Sequence, residues 1–124
     1  MNGTNLLLDT NILIYYLNGN KTAYEIIANN HIFISVITKM EMLSFVNLSK
    51  EEEQKIEKLL SLFTVLPLSD KTQNKTIEVR KKYKLKLPDA IIAATALELG
   101  CSLVTADKQM LSVDELSILE FQAP

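Results

Sequence analysis

Short apolar runs separated by helical patterns constrain this chain more than any other feature. Residues 6–8 (LLL), 32–35 (IFIS), 63–66 (FTVL), 102–106 (SLVTA) and 116–121 (LSILEF) each have the length and apolar content of a strand. Between them the pattern turns helical over residues 12–17, 22–28, 36–48, 49–61, 71–83 and 90–99. Strands that alternate with helices form a mostly parallel sheet covered on both faces, because parallel neighbours need crossover connections. The expected fold class is therefore α/β, with residues 1–124 forming one domain.

The helix boundaries carry their own signals. Asp9, Thr10 and Asn11 all favour a helix N-cap, and they follow the first strand directly. Ser49-Lys50-Glu51-Glu52 has the form of a capping box, which makes the Glu51-Glu52-Glu53 run a dipole-favoured first turn. Pro88 suits the first turn of the 90–99 helix, and Gly100 ends it. That helix is apolar nearly all round and should be buried, with Asp89 on the face of the small residues Ala93 and Ala96.

Composition narrows the function classes. The single cysteine, Cys101, cannot form an internal disulfide or a multi-cysteine zinc site, and a buried, small apolar role fits it. One histidine, His31, precedes the 32–35 strand and reads as an exposed loop residue at the wrong end for a site beside Asp9. Triads and multi-histidine metal sites are thereby disfavoured. The net charge of −2 argues against a uniformly basic nucleic-acid surface. With no long apolar stretch and no signal-type N-terminus, a cytoplasmic location without membrane contact is expected.

Carboxylates are what remain. Asp9 and Asp107 each lie just past the end of a strand, where open α/β sheets bind ligands. Glu41 interrupts an apolar stripe with Ile37 and Phe45, and Asp89 starts the buried helix. If the four converge, their mutual repulsion calls for protonation or a cation. Carboxylate oxygens suit a hard ion, Mg²⁺ or Mn²⁺, which can activate water for attack on a phosphodiester. The basic residues Arg80, Lys82, Lys84 and Lys86, with Tyr83 among them, lead into Leu87-Pro88-Asp89 and are candidates for phosphate contacts.

The segments LLLDTN, ITKMEML, LPDAIIAATA and LVTAD, in that order, resemble the successive acidic motifs of the PIN domain, particularly the short VapC-type toxins. The resemblance spans nearly the whole chain. It implies a three-layer fold with a parallel sheet in strand order 3-2-1-4-5, and an endoribonuclease dependent on one or two Mg²⁺ or Mn²⁺ ions. It also implies a cognate antitoxin and commonly a homodimer. Position by position, Asp9, Glu41, Asp89 and Asp107 match the acidic quartet, Asn11 the polar residue of the first motif, and Thr105 the hydroxyl residue of the fourth. Many relatives carry an acid or histidine three places after the Asp107 position, where this chain has Met110.

Two other readings make different demands. A receiver-like module that binds Mg²⁺ and accepts a phosphoryl group needs an acceptor aspartate after the third strand, for which Asp70 is the candidate, and a second acid beside Asp9. Leu8 and Thr10 flank Asp9 instead, and Ser69-Asp70 is most simply a helix cap. An inactive PIN-like scaffold would keep the fold and bind only a partner.

Overall fold

The computed structural model describes residues 3–124. Five parallel strands, β1 (Asn5–Leu8), β2 (His31–Ser35), β3 (Thr64–Leu66), β4 (Ser102–Thr105) and β5 (Ile118–Glu120), form one sheet in the order β3-β2-β1-β4-β5. This is the order implied by the PIN resemblance. It differs from the 2-1-3-4-5 order of receiver-type folds, so the receiver-like reading fails on topology.

Period-two alternation along the strands sorts the core into two layers. Leu6 and Leu8, with Ile34 and Val104, face the helices α1 (Thr10–Leu17), α2 (Lys21–Asn29), α3 (Val36–Leu43) and α4 (Lys50–Leu60). Leu7 and Leu103 point to the opposite face, against α5 (Asp70–Tyr83) and α6 (Leu87–Leu99). Leu7 sits opposite both Phe33 and Leu103 in register, so the centre of β1 is the centre of the sheet. β1 therefore lies between two strands, and Asp9, the residue that follows it, is bonded to β4 through Val104 and Thr105.

Local chemistry explains the helix limits. Asp9, Asn20, Ser35, Ser49 and Ser69 cap α1 to α5, and the Ser49–Glu52 capping box forms as expected. Pro88 lies in the first turn of α6, and Gly100 ends that helix in the left-handed region at φ 69°.

Several boundaries differ from the sequence expectation. The helix expected over 36–48 stops at Leu43, because the Ser44 hydroxyl bonds back to the Met40 carbonyl and Asn47 turns left-handed at φ 64°. Phe45 thus leaves the helical stripe and stands half-exposed beyond its end. His31 is exposed, as expected, but it opens β2 rather than lying in a loop. The 3₁₀ turn Lys108–Ser112 has no counterpart in the sequence reading, and it buries Met110 completely. Among the described residues, no helix is long and apolar enough to cross a membrane.

Candidate active site

Asp9, Glu41, Asp89 and Asp107 all line one cleft of ≈ 200 Å³, together with Thr10, Asn11, Ile14, Phe45 and Ile92. The cleft lies at the carboxyl ends of β1 and β4, beside the start of α6. A wider depression of ≈ 460 Å³ beside Tyr16 and Tyr24 contains no acid. Volume alone is therefore not what distinguishes the acidic cleft.

Asp9 is 6% exposed and both of its oxygens are engaged. Oδ1 accepts the Thr10 N–H at 2.8 Å, and Oδ2 accepts the Thr105 hydroxyl at 2.7 Å. Its backbone N–H donates to Val104 at 3.0 Å, which carries the β1–β4 pairing one residue past the strand. Burial raises its pKa, with Asp107 and Glu41 adding to the rise; the hydrogen bonds from Thr105 and Thr10 oppose it.

Threonines tie the other acids to Asp9. Thr105 Oγ1 also accepts the Asp107 N–H at 3.0 Å, so one buried hydroxyl links two carboxylate-bearing residues. Asp107 Oδ1 caps the 3₁₀ turn through Gln109 N–H at 2.9 Å. Thr10 Oγ1 donates to Glu41 Oε1 at 2.7 Å, across from α1 to α3, and lies 3.0 Å from Thr38 Oγ1. Thr10 therefore holds Asp9 with its backbone and Glu41 with its side chain.

Asp89 differs. It sits half-buried in the first turn of α6 and has no side-chain hydrogen bond among the described residues. Burial raises its pKa, followed by repulsion from Asp9, Asp107 and Glu41, with Lys86 opposing. Repulsion of Asp89 by three other acids is the electrostatic mark of groups sharing one space.

Not every candidate is placed alike. Asn11 is exposed at the cleft edge and makes no side-chain hydrogen bond among the described residues. Met110, at the place where many relatives carry an acid or histidine, faces the core. Asp70 lies exposed in the first turn of α5 and does not line the cleft. Of the basic residues, Arg80 donates to the Leu85 carbonyl at 3.2 Å, and Lys82 pairs with Glu115 at 3.9 Å. Lys84 ends α5 in a left-handed turn. Lys86, which precedes α6, is the one whose charge is felt by Asp89. Sequence reasoning overlooked Thr10 and Thr38 as neighbours of the acids. A Thr three residues before Glu41 on a helix shares its face, and that spacing was the available signal.

The donor set is all carboxylate, which selects hard cations. Among the described residues, no three Asp, Glu, His or Cys side chains gather tightly enough to grip an ion directly. The acids surround the cleft instead, and the space between them admits several waters. This arrangement fits Mg²⁺ or Mn²⁺ held partly through its own waters, as Mg²⁺ usually is.

The family model of the PIN domain matches residues 6–116, and the strand order with its flanking helices agrees with it; the chain belongs to that family, one of nucleases. Within it, the chain is similar to VapBC-type toxin–antitoxin structures. A toxin–antitoxin complex from Klebsiella pneumoniae aligns with a TM-score of 0.81 and 32% identity, covering 92% of this chain and 95% of that one. VapBC2 from Rickettsia felis, bound to a DNA fragment from its promoter, aligns with a TM-score of 0.80 and 26% identity over 95% and 99% of the two chains. VapBC-1 from nontypeable Haemophilus influenzae shares the fold at a TM-score of 0.82 and 23% identity over 94% and 97%. No match was found among curated proteins.

Proposed function

We propose that the chain is a divalent-metal-dependent endoribonuclease and the toxin of a VapBC-type pair. The observation that carries this reading is the cleft in which Asp9, Glu41, Asp89 and Asp107 share one space and Asp9 and Asp89 are pushed above the usual carboxylate range. Asp9, Glu41 and Asp89 would hold the ion, and Asp107 would complete the set. Thr105 orients Asp9, and Asn11 at the cleft edge orients water or substrate. When bound, one or two Mg²⁺ or Mn²⁺ ions supply an activated water and neutralise charge on the phosphodiester.

The chain's own residues account for the rest. Thr10 and Thr105 keep the carboxylates aimed, and Ile14, Ile92 and Phe45 give the cleft apolar walls. Lys86 offsets negative charge at the entrance on the α6 side, where an incoming phosphate arrives, and favours the ionised form of Asp89; Arg80, Lys82 and Lys84 extend the basic approach. Single-stranded or looped RNA is the substrate class, because a narrow acidic cleft must receive a splayed phosphodiester. The toxin–antitoxin complexes among the similar structures support a cognate antitoxin as partner; a homodimeric state, a cytoplasmic location and residues 1–124 acting as one PIN-like unit complete the reading.

Purified, antitoxin-free protein incubated with total RNA and Mg²⁺ or Mn²⁺ tests the reading. Cleavage lost in EDTA and in Asp9→Asn supports it; cleavage that survives both contradicts the metal mechanism. A folded parent protein that cuts no RNA identifies an inactive scaffold.

A further inference from the structure

We infer that Thr38 is a positioning residue for the acidic cleft, holding the Glu41 carboxylate through the hydroxyl of Thr10; the inference rests on the reading of that cleft as a divalent-metal site. Thr38 does not line the cleft and is 0% exposed. It touches no substrate path. Yet its hydroxyl lies 3.0 Å from that of Thr10, which lies 2.7 Å from Glu41 Oε1.

Counting protons fixes the direction of this relay. Thr10 Oγ1 donates to Glu41 Oε1, so its one proton is spent there. The Thr10–Thr38 bond can then form only if Thr38 is the donor. The chain reads Thr38 O–H to Thr10 O–H to Glu41, and each hydroxyl is oriented by the next.

Other threonines in the same molecule show the ordinary alternative. Thr76 and Thr95, also buried in helices, donate to the carbonyls four residues back, Thr72 and Ile91, both at 2.7 Å. Thr38 stands third in α3, and the residue four before it belongs to β2. Its proton is directed across to α1 instead. Among the described residues, the Thr10 bonds to Thr38 and Glu41 are the only side-chain hydrogen bonds between α1 and α3. They set the position of Glu41, carried by α3, relative to Asp9, which caps α1.

The relay leaves Glu41 Oε2 without a hydrogen bond among the described residues, free to face a cation or its water. Outer partners of metal-binding carboxylates typically change metal affinity by ~10–100-fold. Thr38 is one bond further out, so the lower end, ~10-fold, is expected. Replacing its hydroxyl by the isosteric methyl of valine keeps the volume and removes only the donor.

The experiment compares the parent with Thr38→Val and Thr38→Ser, with thermal melts to show that each is folded. Mg²⁺ affinity is measured by calorimetry, and the Glu41 side-chain carboxyl ¹³C resonance is followed in metal-free protein. In Thr38→Val, Mg²⁺ binding weakens ~10-fold and the Glu41 resonance moves; in Thr38→Ser both return towards the parent. In a Glu41→Ala background, which leaves the Thr10 hydroxyl no side-chain acceptor at that position, Thr38→Val causes no further loss, because its effect runs through Glu41. Equal Mg²⁺ affinity in the parent and Thr38→Val overturns the inference, as does a further loss in the Glu41→Ala background. A parent that binds no Mg²⁺ overturns the metal reading, and the Glu41 resonance then decides the relay alone: unmoved in Thr38→Val, the relay is wrong. Should Thr38→Val fail to fold, Thr38→Ala removes the same hydroxyl, and an unmoved resonance there has the same meaning.

Discussion

On the β1 side of the cleft, Asp9, Glu41 and Asp107 are held by named donors, whereas on the α6 side Asp89 is held by none among the described residues. Both sides carry acids whose charge is disfavoured. Burial is the leading cause for Asp9 and for Asp89, but at Asp9 two hydrogen bonds counter it, and at Asp89 only the charge of Lys86 does. Donors aimed at a carboxylate favour its ionised form and lock its direction. The β1 side is thus pre-organised, and Asp89 is the acid whose ionisation and orientation depend most on an arriving cation.

The largest effect that can break this comparison is on cleavage. Asp9→Asn removes a charge and mismatches its two donors, so RNA cleavage should fall by ~100-fold or more, beyond the ~10–100-fold that an outer partner contributes. Thr105→Val should cost ~10–100-fold while Thr105→Ser restores most of it, since only the hydroxyl reaches Asp9 Oδ2. A single-turnover assay at saturating metal ranks the variants. Equal rates for Thr105→Val and the parent would mean that the β1 side needs no holding.

Stability without metal separates the two sides next. Asp89→Asn relieves repulsion and loses no side-chain hydrogen bond, so its melting temperature should rise by a few degrees, on the order of 2–4 °C. Asp9→Asn should gain less or lose, because the new amide faces the Thr105 hydroxyl and cannot satisfy both of the former bonds. Melts showing the reverse order would dissolve the distinction.

Stability should also depend on pH, with a sign that follows from the raised pKa values. For both Asp9 and Asp89 the folded value lies above the ordinary 3.8, so the folded protein binds protons more tightly than the unfolded chain. Their contribution to metal-free stability is fully present below 3.8 and is lost as pH rises through the folded values. Mg²⁺ binds the ionised forms and reverses the trend. The Mg²⁺-induced rise in melting temperature should accordingly be greater at neutral pH than in mild acid; a rise independent of pH would place the ion away from these acids.

The smallest effect is on RNA affinity. Lys86→Ala should flatten the salt dependence by up to ~0.7 in slope, the single-strand value per phosphate, and Lys82→Ala should do less because Glu115 already pairs with it. Equal slopes would mean that neither cation meets the backbone.

Much of this was legible in the residues. The alternation of strands and helices, the strand-end positions of Asp9 and Asp107, and the Pro88-Asp89 helix start are local patterns, and each appears where the pattern puts it. The Ile37–Glu41–Phe45 stripe was less faithful, because a serine bonding to its own helix and a left-handed Asn47 ended α3 early. Phe45 still reaches the cleft, but from a loop. The roles of Thr10 and Thr38 were only partly legible: the three-residue spacing puts Thr38 on the face of Glu41, but nothing local brings Thr10 to that face. A threonine near a helix start has several local partners, and only tertiary packing of α1 on α3 selects the relay. Likewise the burial of Met110 depends on a 3₁₀ turn whose cap, Asp107, had a more conspicuous reading as an acid of the quartet.

The central claim is that Asp9, Glu41, Asp89 and Asp107 form one divalent-ion site. Anomalous scattering from crystals of the antitoxin-free protein grown with Mn²⁺ tests it most directly. A manganese peak is expected inside the cleft, within direct or single-water reach of Asp9, Glu41 and Asp89, and is expected to be lost in Asp9→Asn. A well-ordered cleft with no manganese, or a peak bound elsewhere on the molecule alone, would contradict it.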